Sequence, residues 1–229
     1  MRTSGVTPFR HRFIPRFISS FIPLAFAVAV ISSVLVAVPA AAQSTEGSWM
    51  IRIRALSLTA ADKSDAIPSL GVPADRITVS DKIFPDVDVS WFFAKHLATE
   101  LVLTYPQQHD VKLNGTKIGS FKHLPPTLLL QYHLLPDGLV RPYIGAGVNL
   151  TLISDVDIAV ANVGKLDLEK SSVGVAGQVG ADIRLLPGKF LNLDLKKVTI
   201  GSDVLLNGKK VSAVGVDPWL ASIGFGVRF

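Results

Sequence analysis

The chain of 229 residues has no cysteine at all. Its fold therefore uses no disulfide, a lipid-modified N-terminal cysteine is excluded, and a metal site would lack thiolates while the histidines are scattered. Acidic residues are missing before Glu46. Beyond residue 42 there is no apolar run approaching the ~18 residues of a membrane-crossing helix, although 48% of the whole chain is hydrophobic. The sequence also lacks a G-x-S-x-G elbow and an H-E-x-x-H pair, the local signatures of hydrolase and zinc-protease sites.

What stands at the beginning explains two of these gaps. Arg2, Arg10, Arg12 and Arg16 form a basic segment, an apolar stretch follows from Phe17 to Val38, and Pro39-Ala40-Ala41-Ala42 supplies small residues at A-x-A spacing. That order predicts a secretory leader over residues 1–42, cleaved after Ala42, with the mature domain over 43–229. The alternative is an uncleaved anchor, since the apolar stretch is long enough to span a bilayer. Losing the leader's four arginines leaves 19 basic against 18 acidic residues, a net charge of +1. The formal +5 of the whole chain is a leader effect and gives little reason to expect nucleic acid as a partner.

In the mature chain, apolar and polar residues alternate. Eight period-two segments are predicted as strands: 48–58, 82–93, 97–105, 127–135, 141–153, 172–185, 190–199 and 217–229. The gaps 59–81, 106–126, 154–171 and 200–216 are long, whereas 94–96, 136–140 and 186–189 are tight. Strict alternation of long and short connections is the rhythm of an up-and-down barrel with long outer loops and short periplasmic turns. The predicted fold class is all-β, an eight-stranded antiparallel transmembrane barrel of the outer membrane. Trp49, Trp91, Phe92, Tyr132, Trp219 and Phe229 fall near strand ends, where an aromatic girdle is expected. The final Phe229 resembles the insertion signal of outer-membrane barrels.

Particular runs carry a closer likeness. Phe121-Lys-His-Leu-Pro-Pro-Thr-Leu-Leu-Leu-Gln-Tyr-His133 and Arg141-Pro-Tyr-Ile-Gly-Ala-Gly-Val-Asn149 resemble the OmpW family of outer-membrane proteins. Ala176–Asp182, Asp217-Pro-Trp219 and the ending Arg228-Phe229 are similar to that family too, so the likeness covers essentially the whole mature chain. The resemblance implies a barrel with a narrow hydrophobic passage for small hydrophobic molecules, related to alkane-uptake proteins. The chain departs from the pattern at Lys196-Lys197, where either one lysine faces lipid or the strand ends.

An eight-stranded barrel is wide enough only to be filled by side chains or to hold one small ligand. Sorting the inward positions by depth gives two groups. Near the periplasm lie Arg52, Arg54, Asp88, Glu100, Gln131, His133, Gln178, Asp182, Arg184, Asn192, Asp194 and Arg228, read as a mutually satisfied charge network. Nearer the outer loops lie Leu56, Leu58, Phe84, Val102, Leu129 and Leu220, read either as the lining of an apolar ligand chamber or as core filling. Pro85, Pro106, Pro125 and Pro126 fall at the outer ends of the second to fourth strands. Proline lacks the ladder donor, so Pro106, Pro125 and Pro126 either mark a lateral exit into the membrane or simply end strands beside long loops.

Catalysis would need a nucleophile beside a base. The mature histidines are His96, His109, His123 and His133; His109 and His123 flank one long connection, and a structural role is the simpler reading of His123. The expectation is a non-enzymatic, monomeric barrel without cofactor or metal. Its partners are small hydrophobic molecules and outer-membrane lipid. The alternatives are a structural or receptor barrel without transport and, less favoured, an outer-membrane lipid-modifying enzyme.

Overall fold

The computed structural model describes residues 46–67, 71–160 and 163–229. The leader read over residues 1–42 lies outside them. All regular elements among the described residues are strands. In chain order they are β1 (Trp49–Thr59), β2 (Lys63–Ser64), β3 (Ile77–Val79), β4 (Lys82–Phe92) and β5 (Leu97–Leu103). Then come β6 (Gln107–Leu113), β7 (Thr116–Leu124), β8 (Thr127–His133), β9 (Val140–Val160) and β10 (Gly164–Leu168). The last five are β11 (Ser171–Leu186), β12 (Lys189–Val198), β13 (Gly201–Leu206), β14 (Lys209–Gly215) and β15 (Trp219–Arg228).

Eight of these close a barrel. Each pairs antiparallel with the next in the order β1, β4, β5, β8, β9, β11, β12 and β15, and β15 pairs back onto β1. Closure removes every sheet edge within the ring, which is what permits β-structure in lipid. Burial along β1 alternates without a break until Ser57, with Met50, Arg52, Arg54, Leu56 and Leu58 inside and Trp49, Ile51, Ile53 and Ala55 outside. The outside is an apolar belt. Ile53, Ile83, Val173 and Phe225 each expose more than 60% of their surface, which suits hydrocarbon and not water. Trp49 and Trp91 stack at 6.2 Å between ring centroids at the end that carries the first and last barrel residues. Tyr105 and Trp219 are exposed at the opposite end of the belt.

Two expectations are corrected here, and the alternative left at Lys196-Lys197 is decided for an outward lysine. The gaps read as long outer loops hold strands: β6 and β7 continue β5 and β8 beyond the belt, β9 runs on to Val160, and β13 and β14 form a second hairpin. Two Asn-Gly pairs turn these hairpins, Asn114-Gly115 and Asn207-Gly208, all four residues having positive φ. That is the backbone of the tight turn favoured by strand twist. Phe92, assigned to the girdle, instead points inward and packs with Met50, Ala98 and Phe190, leaving Phe93 as the outward neighbour of Trp91. At Lys196-Lys197 the strand neither ends nor slips. Lys196 is buried inside, and Lys197 stands outside near the rim, donating to the Asp217 carbonyl with its ammonium 5.2 Å from the Trp219 ring.

Candidate functional site

The lower half of the lumen is closed by charge. Arg52 Nε and Nη2 donate to the two oxygens of Asp182 at 3.0 and 2.7 Å, while Nη1 reaches Asp88, Ser90 Oγ and Glu100 at 2.9, 2.7 and 3.1 Å. One storey up, Arg54 pairs with Asp86 at 2.5 Å and with Asp88 at 3.0 Å. Gln131 and Gln178 each donate to Glu100 at 2.8 Å, and the Tyr143 hydroxyl donates to Asp194 at 2.9 Å. Lys196 completes the ring through Asp194 and through Glu100 at 3.5 Å. Planar guanidinium forks suit such bidentate contacts. They fit because the facing strand is bare: a Cβ at Gly224 would lie 2.6 Å from Arg54 Cγ, and one at Gly226 would lie 3.0 Å from Arg52 Cγ.

The network thus contains Arg52, Arg54, Asp88, Glu100, Gln131, Gln178, Asp182, Asn192 and Asp194 as expected from alternation. His133 joins at its lower edge, 3.2 Å from Gln131. Arg184 does not join. It lies beside a bulge in β11, its side chain is 39% exposed, and it reaches Glu46 at 3.8 Å at the barrel mouth. Arg228 lies at the same mouth, 3.9 Å from Glu46 and with its guanidinium 3.7 Å from the Phe92 ring centroid. Arg141 holds Glu46 with two hydrogen bonds of 2.5 and 2.9 Å. These bonds hold the Glu46 carboxyl below its ordinary value, against the opposing effect of burial.

Above the network the lumen turns apolar. Leu56, Leu58 and Phe84 are buried against one another with Leu220 beside them. Val102 and Leu129 are buried at the base of a larger cluster that includes Val111, Phe121, Ile153, Ile158 and Val204. Leu220 packs against both groups, so the six positions read as apolar lumen form two adjoining clusters. The cavity itself lies higher, within the extended strands. It measures about 40 Å³ and is lined by Val79, Val111, Phe121, Ile158, Val204 and Val214 among others, with His123 and Thr151 on its wall.

Beside this cavity the barrel wall is interrupted. Residues 104–106 enter no ladder on either side: the β4–β5 pairing stops at Val87–Leu103, and the β5–β8 pairing stops at Val102–Thr127. Pairing of this strand resumes with β7 only at Gln107–His123, beyond Pro106, Pro125 and Pro126. The ladder toward β9 is not broken, since the Leu150 amide donates to the Pro126 carbonyl at 3.0 Å. Proline's missing donor explains a one-sided break. Asn149 props the bend by donating to the carbonyls of Pro125 and Pro126 at 3.2 and 3.3 Å.

The sequence itself names the group to which this architecture belongs. The OmpW family profile matches residues 45–229. The chain belongs to the OmpW family. This OmpW-family barrel is 36% identical to the outer-membrane protein y4mB of Sinorhizobium fredii, over 83% of this chain and 86% of that one. It is 31% identical to the dibenzothiophene metabolism operon protein DoxH of a Pseudomonas strain, over 80% and 90% of the two chains. Among solved structures it is similar to OprG of Pseudomonas aeruginosa, with a TM-score of 0.71 and 30% identity, covering 80% of this chain and 96% of OprG.

Alternation reaches the OmpW-family barrel's inner residues, including four that the sorting by depth leaves out. Asp86, Ser90, Tyr143 and Lys196 sit on inward positions and belong to the network, and simple extension of the two-residue period reaches each. His109 and His123 are a different case. Their rings stack at 4.7 Å and 7° across the β6–β7 hairpin, and only the register of a hairpin read as a loop brings them together.

Proposed function

We propose that this barrel passes small hydrophobic molecules across the outer membrane. It receives them in the apolar chamber at its outer end and releases them sideways through the wall at residues 104–106. The observation that carries the proposal is an interrupted ladder beside an apolar chamber whose axial outlet is filled by ion pairs. A solute moving straight down would have to open a network in which Arg52 is fully buried and bonded to four side chains. Unmaking such contacts costs several kcal/mol, whereas the wall at Pro106 and Pro125 has no ladder bonds left to break on that side. Further support comes from the relative named for a dibenzothiophene metabolism operon. The leader over residues 1–42 delivers the barrel to the membrane, and the barrel acts as a monomer, without catalysis. His109 meets the Ser80 carbonyl at 2.8 Å, an arrangement that offers no hydroxyl to activate.

Uptake of 4-fluorotoluene by cells carrying the barrel, against cells without it, tests the proposal. Faster entry is expected, and Pro125→Val together with Pro126→Val should slow it severalfold while the barrel stays folded, because residue 125 regains the ladder donor that faces the gap. Equal uptake with and without the folded barrel would overturn passage. Uptake unchanged by the valine pair would overturn the lateral route.

A further inference from the structure

The described residues contain six buried side-chain polar atoms without a hydrogen-bond partner, and four of them fall at the interruption: Thr104 Oγ1, Gln107 Oε1, His109 Nε2 and His123 Nε2. A buried polar atom left unpaired is costly, and a cluster of them asks for a partner. His109 Nδ1 faces the Ser80 carbonyl. A carbonyl only accepts, so Nδ1 carries the proton and Nε2 is a bare acceptor. Burial holds His123 down to about 3 and His109 below its usual value, so both rings are neutral at neutral pH. A neutral imidazole exposes one donor and one acceptor, whichever tautomer it adopts.

We infer that the chamber selects small apolar molecules that carry a hydroxyl group, phenols and aromatic alcohols, with His123 Nε2 as the group that binds the hydroxyl. The inference rests on the proposed passage and names its preferred solute class. A hydroxyl both donates and accepts, so it satisfies His123 in either tautomer. The aromatic body has its counterpart in the lining: Phe121 and His123 both border the cavity, with ring centroids 6.0 Å apart and an interplanar angle of 33°. Closed, the cavity holds about 40 Å³, so a guest enters as the β6–β7 and β13–β14 hairpins part.

The test uses the full mature barrel in lipid nanodiscs at neutral pH, with 4-fluorophenol and 4-fluorotoluene as probes. The two match in size and differ in a hydroxyl against a methyl. Fluorine NMR, corrected for partition into empty nanodiscs, should show the phenol bound about five- to tenfold more tightly. The nitrogen resonance of His123 Nε2 should shift with the phenol and stay in place with the toluene. His123→Leu should bring the two affinities within about twofold while 4-fluorotoluene still binds. Equal wild-type affinities, or an imidazole signal that the phenol does not move, would overturn the inference and leave passage standing. If neither probe binds, the chamber reading fails and the inference falls with it.

Discussion

The lumen has two storeys built on one pattern of alternation, and they differ in how completely their polar groups are satisfied. In the lower storey Arg52 alone makes contacts with four side chains, and Lys196 is shared between two carboxylates. In the upper storey the few polar side chains sit among valines, isoleucines and a phenylalanine, and several of their atoms are bare. Among the described residues the lower network leaves only Asp88 Oδ2 and Ser222 Oγ without a hydrogen bond and rigidifies its surroundings, whereas a cluster of unpaired atoms is where a structure waits for a ligand or a water. The contrast separates the work of holding the barrel shut from the work of admitting something to it.

The largest effect that would break this division comes from Arg52→Leu. Three buried cations, Arg52, Arg54 and Lys196, face five buried carboxylates, Asp86, Asp88, Glu100, Asp182 and Asp194. Removing Arg52 leaves Asp182 without its bidentate partner, and a loss of about 3–5 kcal/mol is expected in urea unfolding from lipid vesicles. A loss below about 1 kcal/mol would mean that water or rearrangement screens the network. Next in size is Val204→Trp, which overfills the chamber. Uptake of 4-fluorotoluene should fall to that of cells lacking the barrel, while urea stability drops by about 1–3 kcal/mol. Undiminished uptake would place the solute path elsewhere.

The smallest effect concerns the mouth. Glu46 has its folded value lowered by Arg141 from the ordinary 4.5. Its contribution to stability is therefore present above pH 4.5 and is lost as pH falls through the lowered folded value. Glu46→Gln should cost less than about 1 kcal/mol at pH 7. It should also reduce the slope of the urea midpoint against pH below 4.5. An unchanged slope would remove Glu46 from the acid sensitivity of the barrel.

The likeness to the OmpW family was legible in the Phe121–His133 and Arg141–Asn149 runs, and the eight staves in their two-residue period. The network was legible too, because a polar residue on the inward phase of a lipid-facing strand has only the lumen to occupy. Arg184 shows the limit of that rule: at the strand end a bulge turns its side chain toward the mouth, and phase alone carries no information about depth. The cavity lies above the six apolar positions that alternation singles out, for a related reason. Strand continuations beyond the lipid belt carry charges outside, as at Lys112 and Lys122, so they lack the apolar alternation that marks a membrane stave. Asn114-Gly115 and Asn207-Gly208 were the signals that would have found them.

What the sequence determined by itself is local and periodic: which residues alternate, where turns can form, and which prolines cannot donate. A barrel follows from these because closure is the one way such strands can satisfy their backbone in lipid. Which distant residues meet is a matter of register, and register is set by pairing between strands. Arg52 and Asp182, or His109 and His123, are brought together by ladders whose alignment no single segment specifies. The interruption at residues 104–106 is of the same kind. Proline removes a donor locally, but only the closed barrel decides that the missing bonds lie beside an apolar chamber.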